Sequence, residues 1–496
     1  AITASALRGR AHINVEPADF GYAAQNSVPL VKGAGAETYK SYFSLSGTPE
    51  GEAWSLVPNS ADNALVLKKA DAIIKEGNGA WARLKQAVTA AEDGAVIFIE
   101  GVIRADASSP DNYGEIVISK KLTIQAIHQK SVHALDANKA ALGSSAHRIF
   151  TVKTGAALTL NGVALKNGKA AGSGAAGQGG AAYIEKNARF TQNGGLAQDC
   201  EAADSGGAFF AHGGSLILNS MAVKGNKAGR DGGAVFADAD GAVKARIKIE
   251  GGAVVGGDAA ADANFAQANG GAVALIGEGN TLSLDGAALS GNKAGRDGGA
   301  VFASGGTVTV TRGLLSKNSA QANGGAVALS GEGSALSLDS VTLTENKAES
   351  GGALFASGKA AVTVRSGSLN KNEAAASGGA AAFSGAGGSL TLDGVSLTGN
   401  KAGNGGAVFS GSAKVKIRGG SLSENEAKAS GGAISAASAS GDAVSFEITG
   451  GAVFASNRAK TGGALSVSGS ILFSMTGGRI EKNSAESGSA LRISGA

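Results

Sequence analysis

The chain has 496 residues, 80 of them glycine and 5 proline, with 44 Lys and Arg against 40 Asp and Glu. Glycine at about 16%, against a usual ~7%, without a Gly at every third position excludes collagen, and 43% hydrophobic residues at a net charge of +4 exclude a disordered chain. Interspersed charges point away from nucleic acid, the lone Cys200 excludes an intrachain disulfide, and no apolar run approaches a membrane span.

The chain opens AITASA, a small-residue start like that left after signal-peptide removal, so export is expected. Residues 1–65 carry more aromatics and no repeat, and read as a small N-terminal β segment or arm. Within it LRGRAHINV, residues 7–15, alternates apolar and polar positions. It reads as a strand whose apolar Leu7, Ala11, Ile13 and Val15 could dock elsewhere as an assembly arm. Residues 66–95 hold a linker and a helix. In NGAWARLKQAVTAA, residues 78–91, Trp81, Leu84, Val88 and Ala91 share one helical face, placed to cap the end of a solenoid. AVIFIEGVI and IVISKKLTIQA then read as the first coils of a unit spanning 96–496, regular from about residue 150. SPDNYGE, residues 109–115, reads as a turn between them.

From Gly179 onward, Gly-Gly-Ala recurs with a period of about 27 residues, and NKAGRDGGAVFA occurs twice, letter for letter, at 226–237 and 292–303. Each unit carries three short apolar runs. The first follows the glycines (AVFA, ALFA, AVFS). The second alternates strictly (TLSL, TVTV, SLTL). The third precedes an asparagine (LSKN, LTEN, LTGN). Runs this short, with period-two alternation and Gly, Ser or Asn between them, are strands. The expected fold is all-β: a right-handed parallel β-helix of about 27 residues per coil. An inward aliphatic ladder should run Leu282, Val308, Leu336, Val362, Leu390, Val415.

Gly232, Gly298, Gly324, Gly351, Gly378 and Gly405 open the Gly-Gly pairs and are read as corners, because glycine alone takes φ > 0 freely and admits a neighbouring backbone. Asn292, Asn318, Asn346, Asn372, Asn400 and Asn425 are read as a second corner, tolerant of the left-handed conformation and able to hydrogen-bond along the stack. Charge supports the stacking. Lys347, Glu373, Lys401, Glu426 and Arg458 follow the asparagine in successive coils, and Lys317, Glu345 and Lys371 precede it.

Gly-Gly-Ala-(Ile/Leu/Val) together with Phe-x-x-Asn, as in FASN at 454–457, resembles the passenger domains of chlamydial polymorphic membrane proteins over residues 150–496. The resemblance implies a surface-displayed β-helical adhesin exported by the autotransporter route.

No catalytic constellation emerges. Asp231 and Asp297 stand two coils apart with Asn269 between them, and the histidines His12, His128, His133, His147 and His212 do not repeat. His128 and His133 are expected in a solvated loop, and Cys200 as a packed thiol. No cofactor or metal is expected. The functional expectation is a non-enzymatic exported surface scaffold for adhesion, to a host surface or glycan, or for cell-envelope structure. The alternatives are an end-to-end self-assembling subunit, using an uncovered coil at SALRISGA, and a carbohydrate-active enzyme, which an aromatic-lined groove with clustered carboxylates would favour.

Overall fold

From residue 95 onward, successive coils lay down the same strands in the same order. The computed structural model describes residues 70–127, 132–438 and 444–494. Of the first 69 residues it describes only the backbone of short strands. Among these, Ala11–Asn14 pairs in parallel with Phe43–Ser46, and Ala64–Lys69 pairs antiparallel with both Val28–Lys32 and Trp54–Asn59. Leu7 and Val15 lie outside the described residues. Ala11 and Ile13 belong to the strand paired with Phe43–Ser46.

One coil shows the plan. Val301–Ser304 follows the glycines, Thr307–Thr311 alternates, and Leu314–Ser316 leads to Asn318. A fourth strand of two residues, Ser319–Ala320, follows the asparagine. The sequence did not signal it, because two residues carry no periodicity. Each strand pairs in parallel with its counterpart one coil on. The strands after the glycines make a 14-stranded sheet, the second and third strands share a 27-stranded sheet, and the fourth strands make a sheet of ten. At about 4.8 Å per step, the 14 strands span about 60 Å. The protein is therefore a parallel β-solenoid. Among the described residues, no helix is long and apolar enough to cross a membrane.

The expected aliphatic ladder is continuous: Leu282, Val308, Leu336, Val362, Leu390 and Val415 pair in register and are buried. Each contributes about 1.5–3 kcal/mol by leaving water.

The helix Ala80–Ala90 buries Trp81, Leu84 and Val88 against the first coils. A strand before it, Ala72–Lys75, already pairs with Ile97–Glu100. The SPDNYGE segment forms a 3-10 turn, Pro110–Asn112, whose polar groups serve this helix. Asn112 Oδ1 accepts from Ala82 N at 3.1 Å, and Lys85 Nζ donates to Tyr113 O at 2.8 Å. Trp81 Nε1 donates to Gly114 O at 2.9 Å. His133 departs from expectation. It is buried, not solvated, and its Nδ1 accepts from Gly101 N at 3.0 Å. His128 lies outside the described residues.

The two glycines of a pair have different jobs. The first takes positive φ, from +61° at Gly405 to +68° at Gly298. The second is held by a neighbouring coil: a Cβ on Gly379 would stand 2.1 Å from Gly406 O.

The asparagine corner needs correction. Asn292, Asn318, Asn346, Asn372, Asn400 and Asn425 are not left-handed. The residue before each one is: Gly291, Lys317, Glu345, Lys371, Gly399 and Glu424 all have positive φ. That turn aims the following asparagine inward, where it is fully buried. Its amide then bonds in two directions. Asn346 Nδ2 donates to Asn372 Oδ1 of the next coil at 3.0 Å and to Leu315 O of the previous one at 2.9 Å. The ladder runs unbroken from Asn226 to Asn483, and Asn264, hidden by the insertion before it, is one of its rungs.

Candidate functional site

The glycine corners and the asparagine ladder hold the coils in register, so the surface they create is where a partner can be met. AVFA places four apolar residues in succession, and only the register decides which face out. Val301 and Ala303 enter the core while Phe302, between them, faces out. The first sheet therefore carries two outward columns. One runs Tyr183, Phe210, Phe236, Ala274, Phe302, Ala328, Phe355, Ala382, Phe409, Ser435. Beside it run Glu185, His212, Asp238, Ile276, Ser304, Ser330, Ser357, Ser384 and Gly411.

The N-terminal part of this face is aromatic and charged. Tyr183 stacks on Phe210 with ring centroids 5.4 Å apart, and Phe210 on Phe236 at 4.8 Å. The Arg148 guanidinium sits 5.3 Å over Tyr183, its Nε 3.1 Å from Glu115 and its Nη2 donating to Ala175 O at 2.5 Å. Burial pushes the Tyr183 pKa up and the Arg148 pKa down. His212 Nδ1 stands 2.7 Å from Asp238 Oδ1 and its Nε2 3.8 Å from Asp240 Oδ2, which also pairs with Lys186 at 3.6 Å. Burial raises the Asp238 pKa, with the His212 hydrogen bond opposing it. The Asp240 turn is thereby pinned onto the face. The patch is a packed layer: Phe210 is 1% exposed and Phe236 8%.

The C-terminal part differs. From Ala274 to Ser468 the two columns carry no charged residue over eight rungs, although charged residues make up 17% of the chain. Phenylalanine and alanine alternate. Ala328 and Ala382, outward on a sheet, are only 2% exposed. Phe302 is 8% exposed, while Phe355 and Phe409 are half-buried and Ser384 is exposed. Sequence reasoning missed this lane. Its signal, Phe two residues after Ala in alternate repeats, reads as ordinary core.

The charge column after the asparagine is present. Lys347 pairs with Glu373 at 3.0 Å and Lys401 with Glu426 at 3.7 Å. Lys317, expected to alternate with Glu345, pairs instead with Asp258 of an inserted loop at 2.7 Å. The substitution Glu373→Lys would stack three lysines in one exposed column. The expected loss is about 1 kcal/mol or less, visible as a lower Tm at low salt and removed by high salt.

A second polar column has a fault. Asn269 Nδ2 donates to Asp231 Oδ1 at 2.9 Å and Asn323 Nδ2 to Asp297 Oδ1 at 2.8 Å. Asn269 Oδ1 is buried without a partner: its amide gives its nitrogen to Asp231, and the side chain of the next rung, the Asp297 carboxylate, carries no N–H. Asp297→Asn supplies that donor. Denaturant unfolding should show a gain of about 1–2 kcal/mol.

Cys200 occupies the rung before Asn226, whose Oδ1 accepts from Cys200 N at 3.0 Å. The thiol is fully buried, and burial pushes its pKa up to about 12. Iodoacetamide at pH 8 should therefore leave the folded chain unmodified and alkylate it only after unfolding, as mass spectrometry would read.

Among the described residues, no three His, Cys, Asp or Glu side chains stand together as a metal site. A scan against protein-family models finds no match to this chain, and searches of curated proteins and of solved structures find none either.

Proposed function

We propose that this chain is an exported, non-enzymatic β-helix that displays the outer face of its first sheet for adhesion at a cell surface or for a structural role in a cell envelope. The observation that carries this is the uncharged Phe/Ala/Ser lane, set on one face of a rod whose interior is filled by its own ladders. A lane free of charge over eight rungs is a surface suited to contact, since docking there strips water from no ion. The resemblance to chlamydial polymorphic membrane protein passengers agrees with export and display. The test is binding of the fluorescently labelled chain to intact bacterial and epithelial cells. Saturable binding that falls when Ser357 and Ser384 are both changed to Arg supports the reading. Binding unchanged by both substitutions removes this face from it.

The carbohydrate-active alternative has one observation in its favour, the Tyr183–Phe210–Phe236 layer beside Asp238 and Asp240. Against it, both carboxylates are engaged by His212 or Lys186, and the aromatic layer is covered. Release of reducing ends from a polysaccharide panel, lost in Asp238→Asn, would revive it.

A further inference from the structure

We infer that the lane binds a neutral, extended β-1,4-linked glycan laid along the solenoid axis, with Phe355 and Phe409 as its two sugar-stacking platforms. The inference rests on the reading of this face as the binding face and adds the chemical class of the partner.

The geometry of repetition carries it. Phe355 and Phe409 lie in register two coils apart, with Ala382 between them. Two steps of a parallel stack amount to about 9.6 Å. A β-1,4-linked chain of pyranoses is extended and turns over at each unit, so the same sugar face recurs at every second unit. The chain advances nearly one rung per sugar, and its disaccharide repeat is close to the two-coil strand spacing that separates Phe355 from Phe409 along the sheet. Every second sugar can then set its apolar C–H face on a half-buried phenyl ring. The unit between them passes over Ala382, where a large side chain would lift it. Ser330, Ser357 and Ser384 stand beside the rings at one hydroxyl per coil, able to donate to or accept from sugar hydroxyls.

Charge narrows the class further. The lane has no cation to pair with a uronate or sulfate and no anion for a basic polymer, and Glu332 and Lys359, in the turns that follow its strands, pair with each other. A peptide adding as a strand needs open backbone groups. Here the strands Leu354–Ser357, Ala381–Ser384 and Val408–Gly411 spend theirs on one another, and what they offer outward is side chains. A flat platform of rings and hydroxyls suits a ligand with an apolar face and a hydroxyl rim.

The test is titration calorimetry of the full chain with cellohexaose and chitohexaose, against maltohexaose and hexagalacturonate as coiled and charged comparators. Saturable binding of a neutral β-1,4 hexamer is expected, weakening as the oligomer is shortened toward the disaccharide. Phe409→Ala should weaken it about three- to tenfold. Ser384→Arg, at an exposed site where the fold should persist, should abolish it, with the melting curve confirming that the chain is folded. Tighter binding of hexagalacturonate, or no saturable binding of either β-1,4 hexamer, overturns the inference. So does binding indifferent to Ser384→Arg. Sedimentation gives a further overturning result: a dimer broken by Ser384→Arg, with no glycan bound, makes the occupant a second copy of the chain. If cell binding persists in the Ser384→Arg variant while glycan binding is lost, the glycan inference stands and adhesion works through another face. If cell binding is lost with Ser384→Arg and no glycan binds at all, adhesion stands and the glycan class fails.

Discussion

Replacing Gly379 by alanine is expected to cost more than about 4 kcal/mol, the range reserved for changes the surroundings cannot absorb. A Cβ there would lie 2.1 Å from Gly406 O, 2.6 Å from Lys401 N and 2.7 Å from Lys401 O. All three are backbone atoms of the next coil, fixed by its own ladder, so neither side can yield. The coils would have to separate locally. Because stability in a stack is a sum of nearest-neighbour terms, proteolysis should then cut close to this rung while the distant coils stay protected. Gly394 is the control. It has φ +64°, and a Cβ there would meet nothing within 4 Å, so alanine should cost only the left-handed penalty of about 1–2 kcal/mol. Equal losses at the two positions would show that backbone conformation, and not close approach, is what glycine supplies at the second place of each pair.

The second large effect is expected at Asn372. Its Oδ1 accepts from both Asn346 N and Asn346 Nδ2, and its own Nδ2 donates to Leu343 O and Asn400 Oδ1. Asn372→Ala strands the buried Asn346 N–H and the Leu343 carbonyl of the previous coil and removes one of the two donors to Asn400 Oδ1 of the next. A loss of roughly 3–5 kcal/mol is expected, larger than a single hydrogen bond because several groups are stranded at once. Hydrogen exchange should report loosening in the coils around Asn346 and Asn400 and little elsewhere. Uniform acceleration over residues 150–494 would contradict nearest-neighbour stability. Asn372→Asp separates the two sides. It keeps the acceptor that Asn346 needs but faces Leu343 O and Asn400 Oδ1 with a buried carboxylate. Burial favours its protonated form, so its folded pKa lies above its unfolded one. The penalty is therefore full at neutral pH and shrinks as pH falls toward the ordinary carboxylate range. A penalty independent of pH would mean that the side chain has left the ladder.

The sequence alone determined the solenoid, its period and its inward ladder. Those features are one-dimensional: a coil that repeats must repeat its alternation, its Gly-Gly and its asparagine at the same interval, and the eye can count them. It also placed the capping helix, since Trp81, Leu84 and Val88 declare one face by spacing alone. The tertiary structure decided what depends on register between coils. That the residue before Asn346, and not Asn346, takes positive φ follows from which of the two must aim inward once coils are stacked. That Asn264 joins the ladder is hidden by the insertion that stretches the step from Asn226, and that Cys200 fills a rung is hidden because a thiol stands where the other coils carry an amide. The candidate binding lane is the clearest case. In AVFA and ALFA every residue is apolar, so composition gives no direction. Only pairing with the next coil puts Val301 and Leu354 inside and leaves Phe302 and Phe355 outside, in register with the alanines of the coils between them.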